Sequence, residues 1–512
     1  MPRGKKLKVV FKQDYRQQGM LIPLDLNDMI AEDHPVRVVN DILDKVDISD
    51  IIKKFRPGGT SSYHPRMLLK VIVYGYINNV YSSRKLEESV KSNIHFMWLS
   101  GMRKPDHNTI NRFRGQRLQD TLRPIFNEVV MMLCEEGLLN IKDLYTDGTK
   151  IEASANRYTF VWGKAIKTSR ERIVKQLDEL WAYALGVAAS ELDDTDPPGS
   201  GLKKISREAV NEYVDRINAA LKDKDIDAKV RQKLSYAKKN WPEALDKYEA
   251  QEKILGEGRS SYSKTDHDAT FMRMKEDHMM NGQLKPAYNV QISTNNQLIV
   301  SYSLHQKTND TNTLKSHLSS HIKNLGVKPS SVTADAGYGS EENYQWLKNK
   351  GITAYVKDRD FDRKQKVKKA TLKDQFIYHP ATDRVTCPGG YKMKNAGTRI
   401  RITATDFQQT VTKYRTTRCG SCPLQQQCNA GNHRKTIELN HRLNQLRDAA
   451  VKRLKTKKGV KKRKQRCCDV EPVFAAIKNN HQFKRFMLRG LEKVSIETGL
   501  LALAHNLRKK VA

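Results

Sequence analysis

A strand–helix–strand pattern over residues 331–357 limits this chain to folds in which strands and helices share one core. SVTADAGYG predicts a buried strand, SEENYQWLKNKG a helix and ITAYVK a second strand. Earlier in the chain, KPAYNVQISTNNQLIVSYSLHQ predicts two alternating strands joined by a hairpin turn at TNNQ. Strands that alternate with helices predict a mixed α/β (α+β) core.

The 512 residues leave room for roughly three or four domains of about 100–200 residues each. Residues 1–138 carry apolar residues at helical spacing and predict a helical N-terminal domain. Residues 139–512 predict a strand-bearing domain with two interruptions. These are a charged helical insertion at 165–260 and a basic, cysteine-bearing insert at 360–435.

The charge of the chain indicates the class of partner. Lys and Arg number 92 against 57 Asp and Glu, a formal net charge of +35, and such a field attracts polyanions. A nucleic acid is the expected partner, with a ribosome-associated or membrane-surface protein as the alternative. No apolar run approaches the roughly 18–20 residues of a membrane span. The basic start lacks the apolar core of a secretory signal, and seven clustered cysteines favour a reduced cytosolic compartment.

Three carboxylates are the candidate catalytic residues. Asp147 in DLYTDGTKIEA and Asp335 in SVTADAGYGS are predicted at the ends of short strands, and Glu471 in DVEPVFAAIKNN at the start of a helix. Taken singly, TDG is most often a turn. Three acids that converge supply hard oxygen ligands for two Mg²⁺ ions, as metal-dependent phosphoryl transfer requires.

Basic residues near the acids are candidates for phosphate contact. Lys150, Arg466 and Lys478 are predicted to hold phosphates or balance charge. Lys478 follows Glu471 by two helical turns, and the two could also form a plain surface pair. In the N-terminal domain, Arg112 and Arg114 lie on a third helix that suggests a helix-turn-helix arrangement, although an Arg-rich face is often only solvated.

Four cysteines form a second constellation. Cys387, Cys419, Cys422 and Cys428 supply four thiolates, the usual shell of a structural Zn²⁺, and the last three have C-x₂-C-x₅-C spacing. A redox role, an iron–sulfur cluster and His433 as a replacement ligand are the alternatives.

Three other segments carry predictions. HQKTNDTNTL places Asp310 after a strand, where it reaches a substrate or caps the next helix. AVKRLKTKKGVKKRKQR, residues 450–466, predicts a mobile loop facing a polyanion. LEKVSIETGLLALAHNLRKK predicts an amphipathic C-terminal helix.

Several sequence blocks, in the order in which they follow along the chain, resemble those of bacterial insertion-sequence transposases of the DDE superfamily. The blocks are YTDGTKIEASANRYTFVW, DATFMRMK, KPAYNVQIS, TADAGYGSEENY, VEPVFAAIKNN and FKRFMLRGLEKV, preceded by HPVRVVNDILDKVD and YHPRMLLKVIVYGY. The resemblance implies a ribonuclease-H-like catalytic core with a helical N-terminal domain. It makes Asp147, Asp335 and Glu471 the catalytic acids.

By the same resemblance, Lys478 matches the Lys that follows the family's Glu, and Arg466 the Arg that precedes it. The Tyr that often precedes that Arg is absent, and position 463 is Arg. The Cys-bearing insert falls where this group commonly carries one.

The function that the resemblance implies is DNA transposition. Such an enzyme binds terminal inverted repeats, cleaves with Mg²⁺ or Mn²⁺ in a two-metal site, and joins the 3′-OH to target DNA. Its partners are double-stranded DNA and a second copy of the chain, in the bacterial cytoplasm and without a membrane. A nuclease that does not join strands and a non-catalytic, zinc-stabilised DNA-binding protein are the alternatives, and the intact acids argue against the second.

Overall fold

The structure is a computed structural model that describes residues 25–56, 61–188, 206–274, 282–362, 372–430 and 434–511. Its helices, numbered along the chain, are α1 Pro35–Lys45, α2 Ser49–Ile52, α3 Pro65–Ile77, α4 Ser83–Ser92, α5 Ile94–Leu99, α6 His107–Arg112, α7 Leu122–Glu135, α8 Gly163–Val187, α9 Arg207–Ala220, α10 Ala228–Leu255, α11 Leu314–Leu325, α12 Glu341–Asn349, α13 Gln425–Asn429, α14 His441–Lys455, α15 Lys457–Asp469, α16 Glu471–Ala475 and α17 Leu491–Val511. Within these ranges, no helix combines the length and the apolar character needed to cross a membrane.

The strands form three sheets. The strands in the described ranges are β1 Asp143–Glu152, β2 Phe160–Trp162, β3 Ser261–Ser263, β4 Thr270–Arg273, β5 Leu284–Asn295, β6 Leu298–His305, β7 Ser331–Ala334, β8 Thr353–Val356, β9 Ile377–His379, β10 Arg384–Thr386, β11 Lys392–Ile402, β12 Gln408–Thr416 and β13 Lys435–Leu439. The mixed α/β class predicted from the sequence is therefore confirmed.

The central sheet combines antiparallel and parallel strands. β5 pairs antiparallel with β1, β4 and β6, while β1, β7 and β8 run parallel. Helix α12 connects the parallel neighbours β7 and β8, which require a crossover. Helix α11 connects β6 to β7, which are not neighbours in the sheet. The predicted strand–helix–strand pattern is confirmed. Its first strand ends earlier than expected, at Ala334, because the chain then turns in a short 3₁₀ helix, Ala336–Tyr338.

The predicted hairpin between β5 and β6 is also present. Its two turn residues, Asn296 and Gln297, both have positive φ, at 59° and 63°, as the two-residue turn that matches strand twist requires. The buried carboxylate of Asp469, at the end of α15, accepts from both backbone N–H groups at 2.9 and 3.1 Å. This contact fixes the end of α15, two residues before Glu471, to the sheet.

The C-terminal helix α17 lies inside the protein, which corrects its prediction as amphipathic. Every residue from Ile496 to Leu507 is buried, because α17 packs against β6 on one side and against α1, α3 and α7 on another. Asn506 exchanges two hydrogen bonds with the backbone of Ile299 at 2.7 and 2.8 Å. The helix thus continues the hydrogen bonding of β6 at the edge of the sheet.

One hydrophobic core spans the chain on both sides of residue 138. It includes Leu69 of α3 and Val129 of α7 together with Val332 of β7 and Leu503 of α17. The N-terminal helices therefore pack against the sheet within one core, in addition to being joined to it by the chain.

The two interruptions have cores of their own. Helices α8, α9 and α10 pack around Trp181 and Trp241, within the range predicted to be a helical insertion. Strands β9–β13 form an antiparallel sheet in which Val385, Met393 and Tyr414 are buried on one face.

Arg114 is a buried structural residue, which corrects its prediction as a DNA contact. It is only 3% exposed, and its guanidinium donates to the Tyr81 carbonyl at 2.6 Å and to the Tyr76 hydroxyl at 3.4 Å. The carboxylate of Glu497, on α17, accepts from that Tyr76 hydroxyl and from the N–H of Met487. Burial raises the pKa of Glu497, and the positive charge of Arg114 opposes that shift.

We expect Arg114→Met to lower the free energy of unfolding by about 2–4 kcal/mol, because the Tyr81 carbonyl loses its donor and buried Glu497 loses a nearby positive charge. Arg112→Met changes an exposed side chain two residues away and should stay within about 0.5 kcal/mol of the parent. Urea unfolding followed by circular dichroism measures both. Equal stability of the two variants would return Arg114 to the candidates for DNA contact.

Candidate active site

The register of the central sheet brings Asp147 and Asp335 together. The last β1–β7 pair is Tyr145 with Thr333, so Asp147 and Asp335 each stand two residues further along parallel strands. Side chains at equal offsets lie on the same face. Asp335 follows β7 directly, as predicted. Asp147 lies within a ten-residue strand, beyond the point where pairing with β7 ends, which corrects its expected place at the end of a short strand.

Gly148 follows Asp147 because neighbouring side chains approach the backbone closely there. A Cβ at this position would collide with the side-chain amide of Gln291 and approach Asp310 Oδ1. Asp310 Oδ1 accepts from Gln291 Nε2 at 3.0 Å and from Asn289 Nδ2 at 2.7 Å. The Asp-Gly pair is therefore part of a packed strand, and the ordinary explanation of TDG as a turn is wrong.

Two polar residues near the acids were not assigned a place there from the sequence. The role of Asp310 was left open between substrate contact and helix cap, and Gln291 was not singled out. Asp310 does not cap the next helix with its side chain. The preceding Asn309 makes the cap of the short 3₁₀ turn, while Asp310 faces the sheet. Gln291 was not predicted, because it is one of several buried polar residues of β5 and nothing in the sequence sets it apart from Asn289 or Ser293.

Residues 450–466 form helices, which corrects their prediction as a mobile loop. Most of this segment lies in α14 and α15, joined at Thr456, whose hydroxyl accepts from Gly459 N–H. Two of its cations face the sheet, four residues apart. Lys462 pairs with Asp143 at 3.0 Å and Arg466 with Asp147 at 3.0 Å. The charge of this segment therefore serves in part to bind β1.

Arg466 joins the first and third acids. Its Nη1 lies 3.0 Å from Asp147 Oδ2 and its Nη2 3.4 Å from Glu471 Oε1. The side chains of Arg466 and Asp147 are 12% and 20% exposed, and that of Glu471 is 57% exposed. Glu471 begins α16, as predicted. Acids 324 residues apart in the chain, at positions 147 and 471, thus share one guanidinium.

The electrostatics of the site show a shortage of positive charge. Burial raises the pKa of Asp147 to about 6, and the negative charges of Asp335 and, to a smaller extent, Asp310 add to this shift. The Arg466 charge opposes it. A buried carboxylate beside other negative charges favours proton or cation uptake.

The three acids fit a divalent metal by donor type, since all supply hard oxygens. In the described ranges, however, no group of three or more His, Cys, Asp and Glu side chains is arranged to hold a metal ion. Glu471 is exposed, so its carboxylate has room to reorient toward a bound metal. The Arg466 guanidinium supplies the positive charge between Asp147 and Glu471.

The other predicted phosphate contacts have different outcomes. Lys150 lies on β1 three residues after Asp147, so strand alternation points it to the opposite face. Its Nζ donates to the Arg273 carbonyl at 3.0 Å, and the structure does not bring it to the acids. Lys478 lies in a π-helical turn, Ala476–Asn480, that follows α16. Arg112 is exposed at the end of α6, and its role stays a prediction.

All four predicted cysteine ligands line one small cavity of about 20 Å³ between β10, β12 and α13. Their thiols are not joined in disulfides. Burial and the neighbouring thiols raise the pKa of Cys419. The cysteines therefore gather as the sequence predicted, although none of the described groups is arranged to ligate zinc. His433 lies outside the described residues.

Two family models match the chain. One, described as Transposase DDE domain, matches residues 386–511 and includes Arg466 and Glu471. The other, described as Transposase domain (DUF772), matches residues 24–116, which include α1–α6. The chain has no significant match among curated proteins or among solved structures. The two domain matches, in the order in which they occur here, support the identification of this chain as an insertion-sequence DDE transposase.

Proposed function

We propose that this chain binds the terminal inverted repeats of an insertion sequence, cleaves at their ends and joins the freed 3′-hydroxyl to target DNA. The observation that carries the proposal is that Arg466 pairs with both Asp147 and Glu471, while the negative charge of Asp335 acts on Asp147. DDE transposases generally use divalent metal ions, and this donor set suits them. The enzyme acts in the bacterial cytoplasm, and it works as a homodimer on DNA because two DNA ends must be paired.

A ribonuclease-H-like core is part of the proposal. Its support is the mixed sheet, in which antiparallel β6, β5 and β1 are followed by parallel β7 and β8. Asp147 lies on β1 and Asp335 directly follows the adjacent parallel strand β7, at the edge where α/β sheets place ligand sites. The helix that ends at Asp469 delivers Glu471 to the same edge.

Each polar residue of the site has a separate task in this proposal. Asp147, Asp335 and Glu471 would hold Mg²⁺ or Mn²⁺, which polarises the attacking water or 3′-hydroxyl and stabilises the leaving oxygen. Asp310 and Gln291, which are hydrogen-bonded to each other, pack against β1 at Gly148. They thereby orient the side chain of the preceding residue, Asp147. Arg466 holds the acids together without metal and is placed to contact a phosphate once metal neutralises them.

The first prediction for this function concerns Asp335. We expect Asp335→Asn to slow cleavage and joining of a labelled terminal-repeat duplex by about 10³-fold or more, because losing a metal ligand removes several kcal/mol of transition-state stabilisation. Gel analysis of products measures both steps. Asp448→Asn, an exposed carboxylate on α14, is the matched control and should keep parental rates.

The products also separate the alternatives. Joined strands support transposition, whereas cleavage without joining favours a nuclease of the same fold. Binding without either reaction indicates a non-catalytic DNA-binding protein. Unchanged rates for Asp335→Asn would remove Asp335 from the catalytic residues.

The second prediction concerns the competition between Arg466 and a metal. We expect Arg466→Met to lower the free energy of unfolding without metal by about 1–3 kcal/mol, because Asp147 and Glu471 lose their shared cation. Mg²⁺ or Mn²⁺ should then stabilise the variant more than the parent, since no guanidinium competes for the carboxylates. Thermal unfolding with and without metal measures the difference.

Lys462→Met is the control for that experiment. Lys462 sits one turn earlier on α15 and pairs with Asp143, away from the acids. Its loss should leave the stabilisation by metal unchanged. An equal metal response in the parent and in Arg466→Met would contradict a shared site for the guanidinium and the metal.

The third prediction concerns zinc, which we propose for the four cysteines because their thiols converge on one cavity. Elemental analysis of protein purified under reducing conditions should find about one Zn²⁺ per chain, and Cys422→Ser should lower it. Cys134→Ser, in α7, should not change it. Metal-free parental protein would contradict a zinc site.

A further inference from the structure

The five-stranded sheet of the insert has two unlike faces. Val385, Met393 and Tyr414 are 0% exposed on one face, where Tyr378 and Ile437 pack against them. Because side chains alternate along a strand, the residues directly before and after each of these three point to the opposite face of the sheet, called here the outer face. An antiparallel sheet commonly has one buried and one solvated face, so the outer face is where a partner could bind.

The strand register collects basic residues on that outer face. Arg384 pairs with Lys394, and Lys394 pairs with Arg415, across three adjacent strands. Beyond the bulge in β11, Arg399 and Arg401 pair with Val411 and Gln409, which share the face of Arg415. The full set, called here the basic sheet face, is Arg384, Lys392, Lys394, Arg399, Arg401, Lys413 and Arg415.

The charge of this face is one-sided. All of its members except half-buried Lys413 are exposed. Among the strand residues that point to this face, the acidic one is Glu438. It pairs with Lys413 in register, and its Oε1 lies 3.4 Å from Arg399 Nε. Ordinary solvated surfaces intersperse both signs. Like charges directly opposite each other destabilise a sheet, so the row of Arg384, Lys394 and Arg415 carries a cost that a bound polyanion would relieve.

The sheet is fixed beside the acids. At the turn between β11 and β12, the Thr405 hydroxyl donates to Glu342 at 2.5 Å, and after β13 the Asn440 amide donates to Glu341 at 2.6 Å. Both acceptors begin α12, a few residues after Asp335. The chain then leads from β13 through α14 to α15, which carries Arg466. A molecule bound on the basic sheet face is therefore held at a set position relative to the candidate active site.

The dimensions suit duplex DNA. Strand β11 has eleven residues and so spans about 35 Å, close to one helical turn of B-DNA, about 34–36 Å. Its cations extend along most of that length. We propose that the basic sheet face binds the phosphate backbone of duplex DNA next to the segment held by the acids. This inference rests on the proposed function, because it places the DNA that the enzyme cuts.

The test compares two charge-matched variants for binding to a labelled random-sequence duplex of about four helical turns. One removes four cations of the basic sheet face: Lys394→Gln, Arg399→Gln, Arg401→Gln and Arg415→Gln. The control removes four exposed cations of the helical insertion: Lys229→Gln, Arg231→Gln, Lys239→Gln and Lys247→Gln. Both variants lose the same net charge, so a difference in their DNA affinity shows that the position of the removed cations matters.

We expect the sheet variant to lower the slope of log affinity against log salt by about 3–4, since each lost phosphate contact removes about 0.9. Its affinity at about 0.1 M salt should fall by roughly tenfold or more. The control should change the slope by less than about 1. Equal changes in the two variants would overturn the inference and leave the proposed function standing. A parent protein that neither binds nor cleaves DNA would overturn both.

A third variant, Glu438→Gln, distinguishes a loss of DNA contacts from a loss of folding. It removes the acid of the face and should strengthen binding to the same duplex severalfold, a gain that an unfolded variant does not give. Unchanged or weaker binding by a Glu438→Gln protein with parental thermal stability would overturn the inference.

Discussion

Neighbouring carboxylates in a half-buried site need a compensating cation, and this requirement governs the centre of the protein. Asp147 on β1 and Asp335 directly after β7 stand at equal offsets from the last β1–β7 pair. Burial, together with the negative charge of Asp335, raises the pKa of Asp147 to about 6. Arg466 supplies one positive charge to Asp147 and Glu471. In the proposed function, a metal takes over this task when it binds the acids.

The scaffold around the acids holds parts that are distant in the chain. Asp469 clamps the β5–β6 turn and so delivers Glu471 to the sheet. Helix α17 fills the space between that sheet and the N-terminal helices, and Arg114 with Glu497 forms a polar contact within that junction. The two inserts project from this frame with their own cores.

Periodicity and turn chemistry predicted the mixed core, the β5–β6 hairpin and the helix start at Glu471, because these depend on local sequence. Contacts between distant segments were not predictable in this way. Residues 450–466 were expected to be mobile because of their charge, yet Lys462 and Arg466 are satisfied by Asp143 and Asp147 of β1. Arg114 has the sequence pattern of a DNA contact, but α17 buries it. Gln291 and Asp310 become notable only when Gly148 brings them against the strand.

A crystal structure with Mn²⁺ and duplex DNA tests the central claim most directly, because anomalous scattering locates manganese without reference to activity. The expected result is manganese bound to the carboxylates of Asp147, Asp335 and Glu471, with the Arg466 guanidinium moved away from at least one of them. Manganese absent from these carboxylates at saturating concentration, with Arg466 still bridging Asp147 and Glu471, would contradict it.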